Sequence, residues 1–280
     1  MKVDVYGSCR VFEAMKILEN IGLVQLINIQ GDFYTHTISE VIQKNKIIKK
    51  ELLLEYDDFK YLIADSKNAR KIYDDLVSKT SASLICNSSE FIVIEISSLK
   101  ENIIDNNIYS QLGLYDLYKR NILNRSQYLK FCNVEEYTLN ENEFNLKLIE
   151  LEKLFKGKKI ILVGYIQPED IVIKNRELIN IYLDEFSKNK ENFFFLNPNS
   201  FINSFKYDEI MLNSTHYNNS FFPEVAKKLS EILFFDDYEI IKSLINYSFY
   251  DKKAESYLLE NITEEYFNIF YKLRLQYEFK

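Results

Sequence analysis

Lys2-Val3-Asp4-Val5-Tyr6-Gly7-Ser8-Cys9-Arg10 is the stretch from which the rest of the chain is read. Val3, Val5 and Tyr6 predict a short β-strand that runs into a glycine and then a serine. From Arg10 the period changes: Val11, Met15, Leu18 and Ile21 recur at helical spacing, and Gly22 follows as a stop. A strand that turns into a helix at Gly-Ser carries the serine hydroxyl to the C-terminal edge of the strand. It also sets Ser8 at a helix N-terminus, where unpaired N–H groups and the helix dipole favour negative charge. Acyl transfer needs both features, an oxygen to attack and donors for the oxyanion that forms. An ordinary βα turn with a serine N-cap uses the same residues, so a second motif has to decide.

That motif lies more than 200 residues further on. Met211-Leu212-Asn213-Ser214-Thr215-His216-Tyr217 precedes a helix whose apolar face is Val225, Ala226, Leu229, Ile232 and Leu233. His216 is one of only two histidines, and it sits in a polar loop. A serine after the first strand and a histidine before the last helix resemble the layout of the SGNH (GDSL-like) hydrolase superfamily. Gly7-Ser8-Cys9 is similar to its "GSC" branch, which includes GSCFA-type domains and proteins linked to surface polysaccharides. The resemblance spans residues 1–235 in layout and departs from the pattern at Asn213, where an aspartate of an Asp-x-x-His motif would stand.

The resemblance implies a three-layer α/β/α fold with a mainly parallel five-stranded, flavodoxin-like sheet. It implies that Ser8 is the nucleophile and His216 its base. A backbone N–H after strand two, at Gly31, would join that of Ser8 in holding the oxyanion. Ser97 stands where the superfamily carries an oxyanion-donating Asn, and Asn213 is left to orient His216. The implied function is a serine esterase or O-acyltransferase acting on an acylated saccharide or related ester, in surface polysaccharide biosynthesis or modification, without a cofactor. Two other readings stay open. The chain is a catalytically impaired scaffold that binds a sugar or a partner protein, or Cys9 attacks instead of Ser8, its thiol pKa depressed at the helix N-terminus.

Composition narrows the class. The chain has 280 residues, 47% of them hydrophobic, with 21 Tyr and 21 Phe, enough for a large core and too apolar for disorder. A net charge of −7 without a basic block argues against nucleic-acid binding. Cys9, Cys86 and Cys132 form no CxxC pair, and with two distant histidines they support neither a disulfide framework nor a metal site. No charged and apolar leader precedes Gly7, and no apolar run reaches membrane-spanning length, so a cytoplasmic protein is expected.

Along the chain, Leu23 to Ile29 predicts strand two, and Thr37 with Glu40 three residues later predicts a capped helix start. His36, just before it, is a candidate substrate contact or second acid–base group. Residues 44–60 are charge-rich and suggest an exposed helix or strand pair. Asp65 to Ser78 reads as a helix and Leu84 to Cys86 as a short edge strand. Phe91 to Ile96 is the strongest buried strand, and Glu95 within it requires a partner, expected to be a nearby Lys or Arg. Residues 101–158 are expected to form a helical insertion above the sheet, a lid in which Tyr118, Arg120 and Arg125 contact substrate, as Cys9 and Arg10 would from the turn. Asn140 to Phe155 is a marked helix; Lys159 to Val163 and Phe193 to Leu196 are strands flanking a helix at Asn175 to Phe186. This alternation predicts a three-layer α/β domain over 1–235. Residues 236–280 read as a helical appendage suited to packing or homo-oligomerisation.

Overall fold

The computed structural model describes residues 1–27, 34–59, 70–74, 77, 89–104, 107–109, 114–115, 118–119, 121, 123–132, 137–166, 174–202, 207–212, 216–234 and 242. The expected helix at 65–78 is described only at 70–74 and 77, while the edge strand at 84–86 and all of the appendage but residue 242 lie outside these residues, as do Gly31, Arg120 and Asn213. Strands β1 (Lys2–Tyr6), β2 (Gln25–Leu26), β3 (Phe91–Glu95), β7 (Lys159–Val163) and β8 (Phe193–Leu196) form one parallel sheet in the order β2-β1-β3-β7-β8. This is the flavodoxin-like order. Register runs Tyr6 to Ile94 and Glu95 to Val163 across the centre of the sheet.

The apolar runs read as central strands because both sheet faces are covered. Successive residues of a strand point to opposite faces. Val3, Val5, Val93, Ile161 and Val163 therefore pack with α1 (Cys9–Asn20) and α8 (Phe222–Leu233). Ile92, Ile94, Ile160 and Leu162 pack with α2 (Ile38–Ile48), α5 (Glu141–Leu154) and α6 (Lys174–Lys188). The result is the three-layer α/β/α arrangement. Because β1 has β2 on one side and β3 on the other, the strand order reverses there, and the C-terminal ends of β1 and β3 are where an open α/β sheet places its ligand crevice. Among the described residues, no helix is long and apolar enough to cross a membrane.

Two features differ from the sequence reading. The segment after β3 contains the helices α4 (Arg125–Cys132) and α5, but it opens as an antiparallel sheet, β5 (Asn107–Tyr109)-β4 (Lys100–Ile104)-β6 (Tyr137–Thr138). Residues 44–48, expected to be exposed, belong to α2, which is buried almost throughout, with Lys44 only 1% exposed. The helix is packed between the sheet, α5 and β5. The Lys44 amine lies 5.4 Å from the Tyr6 ring and 5.9 Å from that of Phe12, so aromatic faces take the place of water around it. Gln43 docks β5 as a strand would, donating to the Ile108 carbonyl at 2.9 Å and accepting from its N–H at 2.7 Å.

Gly7 ends β1 because nothing larger fits. A Cβ there would lie 2.6 Å from Val11 Cγ1 and 2.8 Å from Glu95 Cβ. Gly7→Ala is therefore expected to lower stability by about 1–3 kcal/mol, the usual range for overpacking, as read by urea unfolding. Wild-type stability in that variant would show that α1 and β3 have room to part.

Candidate active site

Ser8 caps α1, its Oγ accepting from Arg10 N–H at 3.3 Å, and the residue is 4% exposed. It is held from the neighbouring strand as well. Ser8 Oγ donates to Glu95 Oε2 at 2.6 Å, and Ser8 N–H donates to the same oxygen at 2.8 Å. The other oxygen, Glu95 Oε1, takes Arg10 Nε in a salt bridge, with Glu95 1% and Arg10 4% exposed. The carboxylate within the apolar strand thus has the cationic partner that its burial demands. Burial alone would favour a neutral Arg10; Glu95 beside it reverses this and raises the Arg10 pKa.

The guanidinium of Arg10 lies over the Tyr165 ring, 4.3 Å from its centroid, and 6.0 Å from that of Tyr217. Arg176, on α6, lies over Tyr165 as well, at 3.9 Å. Tyr165 is fixed through its backbone by Asn180, whose Oδ1 accepts from Tyr165 N–H at 2.9 Å and whose Nδ2 donates to Tyr165 O at 2.8 Å. Gly164 permits this approach, since a Cβ there would stand 2.1 Å from Asn180 Oδ1. Burial raises the Tyr217 phenol pKa, so it stays protonated beside Arg10.

His36 reaches the crevice from the loop after β2. Thr35 N–H donates to Gly7 O at 3.0 Å, while Ser97 N–H and Ser98 N–H donate to His36 O at 2.8 and 3.0 Å. His36 N–H donates to Glu40, which forms a capping box with Thr37 at the start of α2. The ring Nδ1 lies 3.3 Å from Ser97 Oγ. Burial first, and then the Arg10 charge, lower the His36 pKa to about 4; Glu95 opposes this and His216 adds to it. The ring is therefore neutral at pH 7. His216 itself is exposed, on a loop whose neck is closed by Leu212 N–H to His216 O at 2.9 Å and Asn218 N–H to Ile210 O at 2.7 Å. Its neighbour Tyr217 is buried against Phe221 and near Arg10, which ties this loop to the Ser8 network.

Of the residues singled out from sequence, Ser8, Arg10, His36 and Ser97 thus gather at the C-terminal ends of β1 and β3, and His216 lies on the loop that brings Tyr217 toward Arg10. Arg10, expected to touch substrate, is instead buried on Glu95. Ser8 N–H, expected to face an oxyanion, donates to Glu95. Cys9 is a free thiol whose pKa is raised by burial, the reverse of the depression its helix position suggested. Tyr118 stacks on Tyr128 at 4.4 Å within a satellite core with Tyr109, Leu114 and Leu123, and Arg125 is exposed at the start of α4. Tyr165, Arg176 and Tyr217 were not anticipated. Gly164 at the exit of an apolar strand was the available signal.

A family model described as the TviD N-terminal domain matches residues 1–134, which include Ser8, Arg10, His36, Glu95 and Ser97 but not His216. No curated protein and no solved structure matches the chain significantly.

Proposed function

We propose that this protein is a serine esterase or O-acyltransferase that acts on an acylated saccharide or related ester. The observation that carries the reading is the position of Ser8: its oxygen caps α1 at the sheet's crevice and is held there by a buried Glu95–Arg10 pair. A saccharide substrate is supported by the match of residues 1–134 to the TviD N-terminal domain, which suggests involvement in polysaccharide biosynthesis or modification. The resemblance of Gly7-Ser8-Cys9 to polysaccharide-linked proteins points the same way.

In the proposed reaction, Ser8 Oγ turns from Glu95 and gives its proton to His216 as it attacks the ester carbonyl. The C–O bond to the leaving group breaks, and His216 returns the proton to the departing alkoxide. Water or a second hydroxyl then takes the acyl group from Ser8, completing hydrolysis or transfer. Assay of p-nitrophenyl acetate and an acetylated saccharide, with and without an acceptor sugar, separates the two outcomes. A protein that turns over neither ester loses this reading.

One observation favours the scaffold reading as an alternative. The Ser8 proton is already engaged by a carboxylate, and no acid stands at position 213. Asn213→Asp discriminates between them. The enzyme reading expects activity to be kept or raised, because a fixed charge would stabilise the imidazolium of His216. The scaffold reading expects no turnover in either protein and retained saccharide binding.

A further inference from the structure

We propose that His36 is the side-chain donor to the oxyanion formed at Ser8, held for that task by Ser97. The inference deepens the serine reading and rests on it. It starts from a deficit. Ser8 N–H, expected to face the oxyanion, is committed to Glu95 Oε2 at 2.8 Å. Position 97, where an Asn amide was sought, carries a serine whose hydroxyl lies 3.3 Å from His36 Nδ1. Among the described residues, a tetrahedral intermediate at Ser8 therefore needs a donor other than these two.

His36 is placed to supply it. Thr35 N–H bonds Gly7 O at 3.0 Å, which ties the residue before His36 to the residue before Ser8. Two further bonds from Ser97 and Ser98 hold the His36 carbonyl, and Glu40 holds its N–H. The backbone that carries the imidazole is thus fixed on both sides, and Ser97 Oγ stands 3.3 Å from the ring's Nδ1. Where Ser97 Oγ donates to Nδ1, the ring proton resides on Nε2, the atom directed away from Ser97. Arg10, Glu95 and His216 are the charged and titratable groups whose fields act on the ring; burial, then Arg10 and His216, hold its pKa to about 4 against the opposing charge of Glu95. Such an imidazole is a poor proton carrier at pH 7 and a good neutral hydrogen-bond donor. This assigns separate tasks to the two histidines: His216 moves the proton, and His36 binds the oxygen.

The test uses the whole protein, with His36→Ala, His36→Gln, Ser97→Ala and Ser8→Ala. On p-nitrophenyl acetate, His36→Ala should lower kcat by about 100-fold with KM changed by less than about 3-fold, the pattern of a contact made only in the transition state. His36→Gln, which keeps an N–H donor, should recover about 10-fold of that loss. Nitrogen-15 NMR of the histidine rings gives a readout independent of turnover. His36 should remain the neutral Nε2–H tautomer from pH 8 to about pH 5, and Ser97→Ala should abolish that preference. Full activity in His36→Ala alongside an inactive Ser8→Ala would overturn the role of His36 and leave the serine mechanism standing. An Nδ1–H ring, or protonation with an ordinary midpoint, would overturn it as well. Full activity in Ser8→Ala, or an inactive wild type, would remove the serine reading and this inference with it.

Discussion

Ser8→Ala is expected to remove ester turnover, by about 10³-fold or more, while the protein stays folded. The substitution deletes the oxygen that caps α1 at the C-terminal end of β1. Its structural cost is that of a lost N-cap and a lost bond to Glu95, about 1–2 kcal/mol. A domain with the two-faced core described here can absorb that loss. Circular dichroism should therefore match the wild type at 25 °C while hydrolysis of p-nitrophenyl acetate falls to background. The alternative in which Cys9 attacks expects the reverse, with Ser8→Ala active and Cys9→Ser inactive. The raised thiol pKa of Cys9 speaks against that outcome.

Arg10→Ala should produce the largest loss of stability in the chain's active region. Arg10 and Glu95 are 4% and 1% exposed, so deleting the cation leaves a carboxylate inside the sheet with no charge to balance it. Breaking a buried pair in this way costs about 3–5 kcal/mol. At about 2–4 °C per kcal/mol for a domain of this size, the melting temperature should fall by about 6–20 °C. Replacing both partners, Arg10→Met with Glu95→Leu, should restore most of that stability, because no charge is then left stranded. It should not restore activity, since Ser8 would lose the acceptor that fixes it. A fall of less than about 1 kcal/mol in Arg10→Ala would mean that water reaches Glu95 and that the pair is not the dry tie described above.

The parts of the fold that were legible in the sequence are those where one physical demand dominates. Buried parallel strands must be apolar on both faces, so β1, β3 and β7 stand out as Val- and Ile-rich runs. Gly7 and Ser8 marked the strand-to-helix turn. The small antiparallel sheet did not stand out, because β6 has two residues and β5 three, too few for any period to show. The start of α2 was legible in the Thr37–Glu40 capping box, while its second half was not, because Lys44, Asn45 and Lys46 suggest a solvated face. Burial of Lys44 among the Tyr6 and Phe12 rings, and of Gln43 on the Ile108 backbone, is set by tertiary packing that no local pattern shows.

The site divides in the same way. A carboxylate at Glu95 within an apolar strand demanded a cation, but sequence does not choose among 35 Lys and Arg residues. Register does. Tyr6 pairs with Ile94, which brings the turn after β1 against Glu95 and makes Arg10, two residues beyond Ser8, the partner. Tyr165, Arg176 and Tyr217 come from three separate elements and meet only after folding, so no spacing could have announced them.

The central claim is that Ser8 is a nucleophile, and a fluorophosphonate probe tests it most directly. The probe forms a covalent phosphonate ester with an activated serine and is blind to a decayed scaffold. The account predicts one adduct per chain, mapped by peptide mass spectrometry to the Gly7-Ser8-Cys9 peptide and absent from Ser8→Ala. An unlabelled Ser8 in a preparation that turns over ester, or an adduct that persists in Ser8→Ala, would contradict it.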